Sequence, residues 1–228
     1  MTKLSMLGAA IAALALPAFA TGAIAAAPDS TGDSWEGAYL GAQVGYGWGR
    51  DNIHDEERSS PGFSDYSDHF SLDGATGGIF IGCNWQDGPW VFGTEGDAEL
   101  SGVNGDNRAW PFGTNMTAEI AGQISLRGRL GYEVDDSVLY ATGGLALGDI
   151  ETHYYDGSAQ DHYSNWQAGW TVGAGIEHAF SPEWVGRIEY RYADFGRVTD
   201  WTRNTDFGWN EHNDITENAV RVGIAYRL

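Results

Sequence analysis

The chain has 228 residues, with 12 Lys and Arg against 32 Asp and Glu, and a formal net charge of −20. Nucleic-acid binding rests on neutralising phosphates with cationic side chains, so this acidic balance argues against a nucleic-acid partner. Cys83 is the single cysteine, which excludes an internal disulfide framework. Glycine, with 33 residues, is about twice as frequent as its usual ~7% share.

Residues 1–20 are typical of a secretory signal peptide. Lys3 gives a positive start, residues 4–20 are apolar and rich in alanine, and Ala18-Phe19-Ala20 offers a cleavage site. The alanines at 25–27 offer a second site, which would move cleavage as late as residue 27. We expect residues 21–34 to form a short N-terminal linker and residues 35–228 to form one domain. No other stretch reaches the ~20 consecutive apolar residues that a membrane helix needs.

The rest of the chain repeats a period-two pattern eight times. Its first copy, W-E-G-A-Y-L-G-A-Q-V-G-Y-G-W-G at 35–49, alternates an apolar row with a row of small or polar residues, which predicts a strand with one apolar face. Similar segments of about ten residues follow at 74–85, 90–100, 119–132, 139–148, 166–177, 184–192 and 219–228.

The connections between these segments alternate in length. Short turns at 86–89, 133–137 and 180–183 carry Gly, Pro, Asp and Ser, which favour turns. Long polar connections at 50–71, 101–117, 149–165 and 196–217 lie between them. An even number of strands suits antiparallel closure, so the sequence predicts an all-β, eight-stranded, up-and-down antiparallel barrel.

The polar row does not resemble a solvated strand face. Such a face would normally carry lysine and few glycines, because glycine weakens strands. Small residues mixed with charges of both signs suit the interior of a narrow barrel, where side chains fill the space. We predict that the following residues form structural ion pairs in the lumen: Glu95, Asp97, Arg127, Arg129, Glu177, Arg187, Glu189, Arg191 and Arg221.

Three specific pairs follow from strand register. If Trp90 lies level with Tyr132, Glu95 falls opposite Arg127. Across the turn at 180–183, Glu177 falls opposite Arg187. If Trp184 lies level with Tyr226, Glu189 falls opposite Arg221. Pairing is required because an uncompensated buried ion costs several kcal/mol.

The apolar row carries aromatic residues at both ends. Two belts that bracket a band of Leu, Ile, Val and Ala describe the lipid-facing surface of a transmembrane barrel. The predicted belts contain Trp85, Trp90, Tyr132, Trp184 and Tyr226 beside the short turns, and Tyr46, Trp48, Trp166 and Tyr192 beside the long connections. The apolar face is therefore predicted to contact lipid.

With these features, the mature chain resembles the small outer-membrane β-barrel proteins of Gram-negative bacteria, and among them the Omp25/RopB-like surface proteins of the porin family. The resemblance rests on residues 35–46, 93–97, 125–132, 140–146, 173–177, 187–196 and 220–228. It implies periplasmic short turns, extracellular long loops, a monomer, and outer-membrane lipid and lipopolysaccharide as surroundings.

The last strand is similar to the signal that this family presents to the barrel-assembly machinery. Gly223, aromatic Tyr226 and apolar Leu228 carry the similarity. Most relatives end in phenylalanine, so the terminal leucine is a departure from the family pattern.

No catalytic, cofactor-binding or metal-ligating residue is assigned. An enzyme would need a nucleophile, a base and an orienting group within hydrogen-bond reach, and no predicted strand places a histidine beside a serine on a site-like surface. Five histidines lie in long connections, and His178 is predicted to face lipid. The acidic run Asp51 to Glu57 lacks EF-hand spacing. It is typical of a solvated loop, although divalent cations bridging it to lipopolysaccharide are a hypothesis.

We predict a structural role in envelope integrity, with the long loops exposed as an adhesin or immunogenic surface and open to extracellular ligands. The alternative is a porin with a narrow pore for small solutes. Eight strands leave an interior just wide enough to be filled by side chains, which favours the structural role. Conductance in planar bilayers distinguishes the two.

Overall fold

The computed structural model describes residues 34–56, 67–107, 115–155, 160–201 and 210–228. The predicted signal peptide, residues 21–33 of the predicted linker and part of each long connection lie outside the described residues. Within the described ranges, no helix is long and apolar enough to cross a membrane.

The described residues form eight antiparallel strands that close into one barrel in chain order, with β8 bonded to β1. This confirms the predicted fold. The strands are Gly37–Glu56 (β1), Ser67–Asp87 (β2), Trp90–Asn107 (β3), Asn115–Val134 (β4), Ser137–Tyr155 (β5), Gln160–Ala179 (β6), Trp184–Trp201 (β7) and Asn210–Arg227 (β8).

All three short connections lie at one end of the barrel, here the short-turn end; the opposite end is the long-connection end. Gly88 and Pro89 alone join β2 to β3, and Gly88 has a φ of 58°, which glycine adopts without steric cost. Asp135, between β4 and β5, has a φ of 51°, a conformation that Asp tolerates better than most residues. The turn residues therefore have the chemistry that the turns require.

The strands are longer than the sequence pattern predicts. They run for 18 to 21 residues rather than about ten, and the extra length lies at the long-connection end. The β1–β2 ladder, for example, continues from Arg50 opposite Ser71 to His54 opposite Ser67. These extensions contain many polar residues, so a prediction based on alternating apolar residues does not include them.

A β-bulge changes the expected orientation of one residue. The predicted apolar row of β4 places Ile120 on the lipid face, but the structure buries it inside the barrel, with 1% of its surface exposed. The register between β4 and β5 shifts between Ile120 and Gly122. One extra residue on a strand inverts the facing of everything beyond it, which explains the error.

Two apolar clusters fill the ends of the lumen. The short-turn cluster contains Trp35, Tyr39, Phe80, Val91, Val138, Tyr140, Val185 and Ala225. The long-connection cluster contains Leu72, Val103, Ile120, Ala146, Ile150, Ala193, Phe195 and Ile215. The charged residues lie between the two clusters, as the order Val91, Glu95, Asp97, Glu99, Val103 along β3 shows.

Inward glycines make room for the large side chains of the lumen. A Cβ atom built on Gly175 would lie 2.7 Å from the Tyr140 hydroxyl, and one built on Gly148 would lie 2.8 Å from the Phe195 ring. Several other glycines face outward among the apolar residues, and there the same atom meets only ordinary contacts, as at Gly143. Part of the glycine excess is thus a packing requirement of a narrow, filled barrel.

Candidate functional site

The centre of the lumen is the guanidinium of Arg127, which is 1% exposed. Its Nη2 lies 2.6 Å from Glu95 Oε1 and 3.2 Å from Asp97 Oδ2. Its Nη1 lies 2.7 Å from Glu189 Oε1 and donates to the Thr142 hydroxyl at 3.1 Å. One cation thus joins carboxylates from β3 and β7.

Toward the short-turn end, two further arginines are held by both charge and aromatic rings. Arg129 makes a bidentate contact with Glu177, at 3.1 and 2.7 Å, and its guanidinium lies 4.4 Å from the centre of the Tyr140 ring. Arg187 Nη1 lies 2.7 Å from Glu95 Oε2, with its guanidinium 3.6 Å from the centre of the Phe80 ring. Arg–carboxylate contacts of this kind are among the strongest that side chains form.

Toward the long-connection end, Asp97 and Glu99 continue the network. Asp97 lies 2.9 Å from Arg191, which also reaches Glu99 at 3.2 Å. Glu99 accepts two bonds from Arg221, at 2.8 and 2.6 Å. Asp97 and Glu99 on β3 therefore each join two arginines, and Glu95 joins three, since Arg129 also lies 4.0 Å from it. Together these carboxylates link the layers of the lumen.

The structure brings all the predicted lumen residues together, but the ion pairs do not simply follow the strand register. Glu95 lies opposite Arg127 and pairs with it. Glu177 lies opposite Arg187 but pairs with Arg129 at 2.7 Å. Long side chains in a narrow lumen reach strands that are not their neighbours, which explains the difference.

Glu189 shows the same behaviour. It lies opposite Arg221 on β8, but its ion pair is with Arg127 on β4. Its other carboxylate oxygen accepts a bond from the Tyr140 hydroxyl at 3.0 Å. The predicted register therefore gives the correct backbone pairing of the strands, whereas these side-chain ion pairs join strands that are not neighbours.

Sequence reasoning missed several members of the network. Glu99 has the same facing as Asp97, and this parity was the signal that could have found it. The other members missed are Tyr39, Gln43, Gln123, Ser125, Tyr140, Thr142 and Glu217. Most are polar residues at inward positions whose neighbours in the chain are apolar, so parity alone would have included them.

Charges in the described lumen are nearly balanced. The buried guanidinium groups belong to Arg127, Arg129, Arg187, Arg191 and Arg221, and the buried carboxylates belong to Glu95, Asp97, Glu99, Glu177, Glu189 and Glu217. The carboxylates exceed the guanidinium groups by one. Glu217 makes no ion pair with another described residue; it accepts a bond from Gln123 at 3.0 Å.

Trp35 closes the short-turn end of the lumen. It precedes β1, is 4% exposed, and lies against Arg227, whose guanidinium is 5.1 Å from the ring centre. Its backbone N–H donates to Gln86 Oε1 at 2.7 Å, and Arg227 donates to the Ser34 carbonyl at 3.1 Å. The residues before β1 therefore fold across the opening and are held on both sides.

The aromatic residues of the two predicted belts face outward. Trp90 packs edge-on against Tyr132 with ring centres 5.0 Å apart, and Trp184 packs similarly against Tyr226 at 5.1 Å. The other belt residues with 40% or more of their surface exposed are Tyr46, Trp48, Trp85 and Trp166. Tyr192 is partly covered by Trp170, at 5.4 Å between ring centres. Anchoring by these belts stays a prediction.

The predicted assembly signal lies on the strand that closes the barrel. Gly223 is opposite Gln43 of β1, Tyr226 faces outward, and Leu228 is 67% exposed, with its N–H bonded to the Ala38 carbonyl at 2.9 Å. Recognition of this strand by the assembly machinery stays a prediction.

One serine and one histidine meet on the outer wall of the barrel. A serine and a histidine do lie together on a strand pair, because Ser137 is opposite His178 and its Oγ is 3.0 Å from His178 Nδ1. The turn between β4 and β5 ends at this serine, which the sequence pattern left outside a strand. Both side chains lie on the outer surface, and no described residue completes a third member of a triad.

Among the described residues, no group of three or more His, Cys, Asp or Glu is placed to hold a metal ion. The side chains of the run Asp51 to Glu57 lie outside the described part.

Comparison with known proteins agrees with this geometry. A family model of the outer membrane protein beta-barrel domain matches residues 9–227. The 25 kDa outer-membrane immunogenic protein of Brucella abortus biovar 1 (strain 9-941) is 30% identical over 196 residues, covering 86% of this chain and 80% of that protein. A 22 kDa outer membrane protein of Rhizobium leguminosarum bv. viciae is 32% identical over 202 residues, covering 89% of this chain and 82% of that protein.

Among solved structures, Neisserial surface protein A is similar over 84% of this chain and 97% of its own, at 14% identity and a TM-score of 0.45. The sequence relatives confirm the resemblance to small outer-membrane barrels. Because the family model spans residues 9–227 of the chain, this protein belongs to the outer membrane β-barrel family and is located in the cell outer membrane.

Proposed function

We propose that this protein is a non-conducting outer-membrane barrel that supports envelope integrity and presents its long connections at the cell surface. The observation that carries the proposal is the filled lumen. Arg127, Glu189 and Arg221 are at most 1% exposed, so the middle of the barrel leaves their charges no contact with bulk water. A porin needs a continuous aqueous path, and polar side chains that line such a path are hydrated rather than locked to one another.

Two further features support a closed lumen. Trp35 covers the short-turn end, and the long-connection cluster, which includes Ile120 and Phe195, covers the network from the other side. A solute would therefore have to displace two apolar layers and a paired ionic layer. The narrow-pore alternative requires all three to open together.

Solute entry into proteoliposomes tests this proposal. Refolded protein in liposomes should give no faster swelling in arabinose or glycine than liposomes without protein. Truncating one central ion pair with Glu95→Ala and Arg127→Ala should increase swelling if the variant stays folded. A matched double variant on the outer surface, Leu126→Ala and Leu130→Ala, should leave swelling unchanged. Rapid swelling with the unaltered protein would support the porin and overturn the proposal.

The surface role is proposed from location and from the relatives. The Brucella relatives are named immunogenic outer-membrane proteins, and long connections at one end of a barrel are where such proteins vary and bind. Protease added to intact cells should cut first within residues 57–66, 108–114, 156–159 or 202–209. Cuts confined to the short turns would reverse the proposed orientation.

Deleting residues 57–66 with no loss of binding to cells would count against an adhesive role for the first loop.

We propose no catalytic activity. The Ser137–His178 pair is exposed on the outer surface, and His178 uses the ring nitrogen Nδ1 for this contact. Hydrolysis of acyl esters in mixed micelles that disappears in Ser137→Ala, but not in Ser181→Ala, would contradict this.

A further inference from the structure

Glu217 lies inside the lumen between the ion-pair network and the long-connection cluster. Along β8 it stands between Ile215 of that cluster and Arg221 of the network, and it is 2% exposed. A Cβ atom built on Gly47 would lie 2.6 Å from Glu217 Oε1 and 3.0 Å from Val103 Cγ2, so this oxygen packs against the β1 backbone beside an apolar side chain. An ionised oxygen in this place has lost its hydration, which is costly without compensation.

The positive charges around Glu217 are already held by other carboxylates. The guanidinium groups of Arg191 and Arg221 lie close enough to attract it, whereas Glu99 repels it when it is ionised. Arg221 donates twice to Glu99, and Arg191 lies 2.9 Å from Asp97 and 3.2 Å from Glu99. The inward positions of β1 at this level are glycines and carry no charge. Ionised Glu217 would therefore be a sixth negative charge beside the five buried guanidinium groups of the described lumen.

The hydrogen bonds of Glu217 are incomplete for a carboxylate and complete for a carboxylic acid. Gln123, which is 1% exposed, donates from Nε2 to Glu217 Oε2 at 3.0 Å. The second oxygen of each group, Glu217 Oε1 and Gln123 Oε1, is buried and has no hydrogen-bond partner among the described residues. Two acceptors cannot satisfy each other, but a proton on Glu217 Oε1 makes that oxygen a donor. A carboxylic acid and a carboxamide then pair through two hydrogen bonds, one N–H to O and one O–H to O.

We propose that Glu217 is a proton-binding site of the lumen and is a neutral carboxylic acid at pH 7. The proton lies on Oε1 and is donated to Gln123 Oε1, while Oε2 accepts the bond from the Gln123 amide. Binding adds one proton from water to one carboxylate, and no other covalent bond forms or breaks. It leaves five carboxylates with five guanidinium groups in the described lumen, so the buried network becomes electrically neutral.

A proton fits this pair of side chains better than a metal cation does. Ca²⁺ and Mg²⁺ take about six oxygen ligands. The Glu217–Gln123 pair offers two oxygens without a described partner, and one of them is packed against the Gly47 backbone.

This inference goes beyond the proposed function, because it depends on the packing around Glu217 and not on conduction or on what the long connections bind. Its consequence is a pH dependence of stability. A glutamate of the unfolded chain releases its proton at about pH 4.3, whereas the folded barrel retains this proton at pH 7. Between these values the folded state binds one proton more than the unfolded state, so stability falls as the pH rises through them.

Infrared difference spectroscopy of the refolded, full mature barrel in detergent tests the protonation directly. The C=O stretch of a carboxylic acid lies at higher wavenumber than the bands of a carboxylate. At pH 7, the spectrum of the unaltered barrel minus that of Glu217→Gln should contain a carboxylic-acid band and no carboxylate bands. Gln123→Leu removes the amide partner and should move the carboxylic-acid band to higher wavenumber. An unmoved band would overturn the pairing with Gln123.

A difference spectrum with carboxylate bands alone would overturn the proposal, because it would fit an ionised Glu217 that reaches Arg221 through water or that holds a metal cation. Glu36→Gln is the matched control, since Glu36 is exposed near the short-turn end. The corresponding difference spectrum of Glu36→Gln should contain carboxylate bands only.

Urea unfolding gives a second readout of the same site. Between pH 5 and pH 7, the unfolding equilibrium constant of the unaltered barrel, divided by that of Glu217→Gln, should rise about tenfold per pH unit, as the release of one proton requires. A ratio that does not change with pH would overturn the proposal. Loss of folded, heat-modifiable protein in Glu217→Gln would overturn it as well, because the fold would then require the anion.

Discussion

Arg127 and Glu95 lie opposite each other on β4 and β3, and their side chains meet inside the barrel with Nη2 2.6 Å from Oε1. Register partner and ion partner coincide here, which is not so for Glu177 or Glu189. Each group is stable in the lumen only because the other replaces its lost water, and breaking a buried pair of this kind costs about 3–5 kcal/mol.

Reversing the central charge should prevent folding. Arg127→Glu would place a fourth carboxylate among Glu95, Asp97 and Glu189. We expect little or no heat-modifiable protein on unboiled gels, because repulsion adds to the ~3–5 kcal/mol lost with the pair. Unchanged mobility of Arg127→Glu would contradict the lumen network. As a control, Glu95→Gln with Arg127→Met removes both charges together and should recover part of the folded fraction.

The Tyr140 hydroxyl should matter more than other tyrosine hydroxyls. It is buried and donates to Glu189 Oε2 at 3.0 Å. Tyr140→Phe leaves a buried carboxylate oxygen without its donor, which should lower the free energy of unfolding by about 1–3 kcal/mol in urea. Tyr132, exposed on the outer wall, is the matched control. Tyr132→Phe should change the free energy of unfolding by less than about 0.5 kcal/mol. Equal effects of the two changes would show that the buried bond contributes nothing.

Inward and outward glycines should respond differently to one added methyl group. At Gly175, a Cβ atom would lie 2.5 Å from the Ile188 carbonyl oxygen and 2.7 Å from the Tyr140 ring. Gly175→Ala should therefore destabilise the barrel by about 1–3 kcal/mol through overpacking. At Gly143 the nearest atoms are 3.8 Å away, so Gly143→Ala should be tolerated. Urea midpoints measured in the same detergent compare the two, and a larger loss at Gly143 would reverse the assigned facing.

Two buried glutamates should differ sharply when neutralised. Glu99 joins Arg191 and Arg221, so Glu99→Gln leaves two guanidinium groups undercompensated and should cost about 3–5 kcal/mol. Glu217 is the carboxylate in excess, without a described ion pair, and Glu217→Gln keeps an acceptor for Gln123. We expect Glu217→Gln to be neutral or stabilising by urea unfolding. A loss as large as that of Glu99→Gln would mean that Glu217 is a required anion of the network.

Much of this arrangement could be predicted from the sequence, because alternate residues of a strand point to opposite sides, one side into the lumen and the other outward. Period two separates Glu95, Asp97 and Arg127 from the apolar residues beside them, and the aromatic residues next to the turns set the register. Backbone register alone does not determine ion pairs in a closed lumen. Arg129 reaches Glu177 because curvature brings β4 and β6 together, and curvature leaves no trace in local sequence.

The remaining differences have local causes. Gly122 is the only sequence sign of the bulge between Ile120 and Gly122, and it does not stand out because every predicted strand of this chain contains glycine, so the sequence predicts Ile120 on the lipid face. Ile215 lies in the predicted long connection 196–217, and Phe195 lies between this connection and the end of the predicted strand at residue 192. The outward residues around both are polar, so the apolar pattern does not predict their inward facing. The sequence predicts Trp35 as the first residue of the barrel wall, but its position across the lumen depends on contacts with Gln86 and Arg227, far away in the chain.

Single-channel recording of the refolded protein in planar lipid bilayers tests the closed lumen most directly. The account predicts a baseline without stable openings for the unaltered barrel, and measurable conductance only after Glu95→Ala and Arg127→Ala remove the central pair. A large and stable conductance from the unaltered protein would contradict it.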